Sequence, residues 1–221
     1  MLSYVLLIAV TLILGFGTQA YIKHTYKKWS KVPISSGLTG AQAARKMLDE
    51  NGLAHVVIEP IAGELTDHYN PKTNVVSLSE GVYDNKSVAA TAIACHECGH
   101  AVQHARGFVP ARLRGALVPA VNFAGTAWLF VFIGGLFLQM IGLIYAAIAL
   151  YAATIIFQIV TLPVEFDASG RALAYVRNYG FLPAAETGGA RSVLTSAALT
   201  YVAAALISII QLVYLLARAR R

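Results

Sequence analysis

His96-Glu97-Cys98-Gly99-His100 sets two imidazoles four residues apart, with a carboxylate directly after the first. Four residues of α-helix make one turn plus about 40° of rotation, so both rings present nitrogens to one point. Two neutral imidazoles suit a borderline-soft divalent ion, and zinc is the common occupant of such a pair. Glu97 lies about 100° round the helix from His96, beside the imidazole face. From there its carboxylate can reach a water on the ion without ligating the ion. Zinc brings the pKa of such a water to about 7, and Glu97 would take its proton as it attacks a carbonyl. That chemistry is hydrolysis.

Two histidines leave a zinc site short of a third protein ligand. His104 shares the helix face but lies about 12 Å along the axis from His96, beyond reach of the same ion on a straight helix. It reads as a surface, substrate-facing or ligand-supporting residue. Glu165 is the better candidate, in Pro163-Val164-Glu165-Phe166-Asp167-Ala168-Ser169, directly after fifty residues (115–164) without a charged side chain. An acid returned to the face that holds an incomplete metal site is expected to ligate the ion. Ser169 stands one helical turn further on and is placed to orient a ligand, while Asp167 caps or pairs with Arg171. Cys95 and Cys98 have C-x-x-C spacing but fall on the side of the helix opposite the imidazoles, so they read as buried small residues.

The elements that must position these groups announce themselves locally. Thr39 with Gln42 makes a capping-box pattern, and Gly52 follows the apolar-periodic stretch 41–51, which predicts a helix. Residues 56–61 and 75–78 are β-rich, with Asn70-Pro71-Lys72 as a turn between extended pieces. Asp84 or Ser87 caps a helix that carries the His-Glu pattern to about Arg106, with Gly107 just past its end. An extended substrate is expected to add as a strand along 74–79, and Tyr69, His68 and Arg171 are the candidates for holding a developing oxyanion.

The rest of the chain is apolar. Of 221 residues, 57% are hydrophobic and 13% charged, where a soluble domain carries about 25% charged residues. This excludes an ordinary soluble globule, a disordered chain and, with two cysteines, a disulfide-stapled module. The net charge of +6 comes from basic residues that flank apolar runs, so it points to a lipid bilayer and not to nucleic acid. Residues 2–21 are long enough to cross about 30 Å of hydrocarbon, and Lys23, Lys27, Lys28 and Lys31 follow, so 1–22 reads as an anchor with the lysines in the cytoplasm. Residues 115–164 would make a helix of about 75 Å, which suits two crossings near 117–138 and 143–162 with a turn at 139–142, and Pro163 as the return. The expected division is therefore an anchor (1–22), a polar part with the motif helix (23–114), a membrane hairpin (115–164), a third-ligand helix and return (165–191) and a C-terminal apolar helix with a basic tail (192–221). Whether the last helix spans stays open, because spanning would put Arg218, Arg220 and Arg221 on the side opposite the lysines.

Five strings carry a family likeness: Ser36-Gly-Leu-Thr-Gly40, Leu65-Thr-Asp-His-Tyr-Asn-Pro71, Val76-Ser-Leu-Ser79, His96-Glu-Cys-Gly-His-Ala-Val-Gln-His104 and the Pro163–Ser169 segment. Over nearly its whole length the chain resembles the YugP-like family of bacterial membrane-bound neutral zinc metallopeptidases. Its order of motif helix, two spans and downstream acid is also similar to that of HtpX-type membrane proteases. The resemblance implies that His96, His100 and Glu165 bind Zn2+ and that Glu97 is the catalytic base. HtpX-type proteases carry Asp four residues after the ligand Glu, where this chain has Ser169. The fold expected is mainly α, a helical integral membrane protein with a small α+β zincin-like domain on the cytoplasmic face of the bacterial plasma membrane. The function expected is zinc-dependent endopeptidase cleavage of peptide or membrane-protein substrates. The alternative is a non-proteolytic zinc-binding scaffold for a partner, against which Glu97 stands where a base is required. A haem between spans is disfavoured because the spans contain no His, and no pattern identifies a regulatory membrane partner.

Overall fold

Thr39 does cap a helix. Its Oγ1 accepts from the Gln42 N–H at 3.2 Å, and its own N–H donates to Gln42 Oε1 at 2.9 Å, so two otherwise orphaned donors are satisfied reciprocally. Gly52, at φ +74°, closes the helix in the left-handed region that a side chain would disfavour. This local rule opens α2 of a computed structural model that describes residues 2–178 and 184–219. In chain order the elements are α1 (Leu2–Trp29), α2 (Gly40–Glu50), β1 (Val57–Ile61), β2 (His68–Asn70), β3 (Val75–Ser79), α3 (Glu80–Tyr83), α4 (Val88–Ala105), α5 (Val109–Phe137), α6 (Ile141–Asn178) and α7 (Ala184–Ala219). The protein is mainly helical, with one small sheet.

The chain divides into two compact units, one of Gln19–Phe108 with Val164–Leu199, the other of the residues up to Thr18, Val109–Pro163 and those from Thr200 on. The first holds the three-stranded sheet, ordered β1-β3-β2. β1 runs parallel to β3, with Val57 opposite Val75, and β2 runs antiparallel to it, with His68 opposite Ser77. This overturns the expectation that a substrate adds along 74–79. β3 is the central strand, its backbone groups paired on both sides, so the free edges belong to β1 and β2. One face of the sheet and the helices share a core of Met47 and Leu48 from α2, Val76 and Leu78 from β3, and Val88, Ala92 and Cys95 from α4. Arg45 seals the end of α2 by donating to the carbonyls of Val56 (2.7 Å) and Leu53 (3.0 Å).

The return at Pro163 does not interrupt the helix: α6 runs through it for 38 residues without a break. The reason is burial. Val164, Ala168, Ala172 and Val176 form an i, i+4 stripe with exposures of 1%, 0%, 0% and 1%. Burying two valines stabilises by about 1.5–3 kcal/mol each, enough to offset the roughly 3 kcal/mol cost of an internal proline.

In the other unit α5 and α6 are joined by a tight turn at 138–140, where Gln139 takes φ +55°. The Tyr4 ring lies 6.1 Å from that of Tyr214, and Leu215 and Arg218 line one cavity with Leu136 and Ile141. The start of α1, the α5–α6 turn and the end of α7 therefore gather at one end of this unit. Among the described residues four helices, α1, α5, α6 and α7, are long and apolar enough to cross a membrane.

Candidate metal centre

α4 begins where Ser87 Oγ accepts from the Ala90 N–H at 3.2 Å, and it ends before Gly107, at φ +65°. Between these caps the helix turns one side to α2 and the other to α6. On the α2 side Cys95 and Cys98 are wholly buried, and Cys98 Sγ lies 3.5 Å from the Ala44 carbonyl. Burial pushes the Cys95 thiol up to about 12 and the Cys98 thiol well above its usual value, so both are inert packing groups. On the α6 side Gly99 lets the backbones touch, since a Cβ there would meet the Ala168 carbonyl oxygen at 2.8 Å.

That approach brings the three expected residues together. Glu165 Oε2 lies 3.3 Å from His96 Nε2 and 3.6 Å from His100 Nε2, and the ligand-type atoms of the trio all fall within 4.8 Å of one another. Three donors at about 2.0–2.1 Å from one zinc, at tetrahedral angles, stand about 3.3 Å apart. The residues fit that ion. The two rings meet edge to face, 4.7 Å between centroids, and the Glu165 side chain is 4% exposed. Burial would depress the His100 imidazole, but its hydrogen bonds with Glu165 and Gln103 and the charges of Glu97 and Glu165 hold it above its usual value. Glu97, on the same helix, is 8% exposed and close enough for its charge to act on His100.

The surroundings of the trio sort the remaining candidates. Ser169 Oγ lies 3.2 Å from His96 Nδ1. Asp167 pairs with Arg171 at 2.6 Å and also accepts from Gln103 Nε2 at 2.8 Å. His104 is exposed and outside the trio, its ring 6.3 Å from that of Tyr69. Tyr69 donates to Asn74 Oδ1 at 3.1 Å, and exposed His68 sits with Nδ1 2.9 Å from the Thr66 carbonyl. Arg171 is occupied by Asp167 and by the Phe108 ring. Each of these three oxyanion candidates therefore has another partner.

Two residues near the trio escaped the sequence reading. Gln103 is wholly buried and bonds to His100, the Val164 carbonyl and Asp167. Asp67 accepts from the Ser79 N–H at 2.8 Å and from its hydroxyl, and burial raises its carboxyl against those bonds, with the Glu97 charge adding to the rise. Both lie in strings that carried the family likeness. Neither residue type at its spacing signals a site on its own.

Comparison with known proteins agrees with this geometry. The sequence pattern of the family described as "Putative neutral zinc metallopeptidase" matches residues 4–220. The chain is 46% identical over 209 residues, 95% of its length and 93% of the relative's, to the "Putative membrane protease YugP" of Bacillus subtilis (strain 168). No solved structure matches it. Matched along nearly all of its length, with a His-His-Glu trio of zinc-like spacing at its centre, the chain belongs to this neutral zinc metallopeptidase family.

Proposed function

We propose that the protein is a zinc-dependent endopeptidase of the bacterial plasma membrane, with its site on the cytoplasmic side. His96, His100 and Glu165 would hold the ion, and Glu97 is the catalytic base. The observation that carries this reading is the convergence of Glu165 on both imidazoles at 3.3 and 3.6 Å, with a buried carboxylate beside them that is not part of the trio. Bound zinc supplies Lewis-acid polarisation of a carbonyl and acidifies water. Glu97 takes the proton of the attacking water and then delivers it to the leaving amine. Ser169 and Gln103 hold the imidazoles from behind. The cytoplasmic placement is supported by Lys23, Lys27, Lys28 and Lys31 after the first apolar helix.

A peptide in extended form would lie on the free edge of β2, the edge strand that runs beside α4, and pair through backbone hydrogen bonds. The test compares zinc-loaded wild type with Glu97→Gln on casein and on a membrane-protein substrate. Losing the base is expected to slow cleavage by at least about a hundredfold while zinc still binds. Equal cleavage by both proteins would reject the assignment.

A further inference from the structure

Gln103 sits three residues after His100 on α4 and is 0% exposed. Its Nε2 end lies 2.7 Å from the Val164 carbonyl oxygen and 2.8 Å from Asp167 Oδ2. Asp167 is in turn held by Arg171 Nε at 2.6 Å, a pairing that keeps its carboxylate an acceptor. A backbone carbonyl and a carboxylate can only accept, so the end of Gln103 that faces them must be the amide NH2. The other end is then the carbonyl oxygen, which can only accept as well. It faces His100 Nδ1 at 3.0 Å. That ring nitrogen must therefore be the donor, so in the neutral ring it is Nε2 that carries the lone pair, on the side of Glu165 and His96.

We infer that Gln103 is a positioning residue: one fully bonded amide, its direction set by α6, fixes the tautomer and the rotation of the His100 ring so that Nε2 faces the metal trio. The inference rests on the zinc reading of that trio. It also explains why a wholly buried, entropically costly glutamine stands in the motif helix, where an apolar side chain would pack without bonds. The same amide joins α4 to α6 at Val164, next to Glu165. It thus sets the imidazole and its distance from the carboxylate with one group.

The test uses full-length protein in detergent and three readouts: zinc affinity by competition with a chromogenic chelator, thermal stability without metal, and the ligand-field spectrum of bound Co2+. Gln103→Leu keeps the bulk and removes the acceptor, so zinc affinity is expected to fall about ten- to a hundredfold and the cobalt bands to shift. Gln103→Glu keeps an acceptor toward His100 but gives up the paired donors to Val164 and Asp167. It should lower the melting temperature while zinc affinity stays within about threefold of wild type and the cobalt spectrum is preserved. A purely structural role predicts that both variants lose stability alike and keep wild-type affinity and spectrum, and that result would overturn the inference. If the Leu variant does not fold, Gln103→Met takes its place, with the same loss of zinc affinity and shift of the cobalt bands expected, and wild-type affinity and spectrum there would overturn the inference. None of these readouts is proteolysis. A wild type that binds zinc but cleaves nothing sinks the proposed function only, whereas a wild type that binds no zinc sinks both.

Discussion

Ser169 and Gln103 show how little the site asks of any one residue type. Each imidazole has its Nδ1 within 3.2 Å of a neutral side chain, a hydroxyl for His96 and an amide for His100. Such outer contacts typically contribute ten- to a hundredfold in metal affinity. Ser169→Ala should therefore weaken zinc binding by about tenfold, measured by chelator competition, with Ser169→Asp at or above wild-type affinity because an ionised acceptor holds an imidazole more strongly. Wild-type affinity in the alanine variant would remove Ser169 from the site. At this scale the sequence spoke clearly where spacing itself carries geometry: two histidines one turn apart, and an acid after fifty uncharged residues. It was silent on Gln103, whose partners Val164 and Asp167 lie more than sixty residues away in the chain.

Between elements, the decisive contact is the crossing of α4 and α6. Inside a helix Gly→Ala normally stabilises by about 1 kcal/mol. At Gly99 the new Cβ would stand 2.8 Å from the Ala168 carbonyl oxygen and 3.2 Å from its Cα, backbone atoms with no rotamer to retreat into. The helices would have to part, and Glu165 lies one turn before Ala168. Gly99→Ala is expected to destabilise by about 1–3 kcal/mol in thermal or denaturant unfolding and to weaken zinc binding as well. A variant as stable as wild type would show that the crossing tolerates a wider gap. Caps were legible in advance because Thr39 and Ser87 act on donors three residues away. The passage of α6 through Pro163 was not, because the stripe of Val164, Ala168, Ala172 and Val176 has meaning only against a partner helix.

Across the whole chain, the trio links α4 to a helix that returns after fifty uncharged residues. A metal bound there binds the folded chain and not the unfolded one, so its binding energy appears as stability. Free zinc at about a hundred times its dissociation constant would add about 2.7 kcal/mol, or roughly 5–10 °C in melting temperature for a chain of this size. Stripping the metal with a chelator should reverse that shift, and Glu165→Ala should abolish it. A melting temperature indifferent to zinc in wild type would mean that the trio does not hold the ion.

Taken alone, the sequence was enough for the apolar helices, the capped motif helix, the inward-facing pair of cysteines and the one acid suited to join two histidines. All of these follow from periodicity, composition or spacing along a single element, where the backbone converts residue number directly into direction. The tertiary structure decided the rest: that β3 is central and the free edges belong to β1 and β2, that α6 stays helical through a proline, that α7 ends beside the α5–α6 turn, and which way the Gln103 amide points. Those outcomes depend on pairings between segments far apart in the chain, where neither hydrogen-bond direction nor close packing is written in any local pattern.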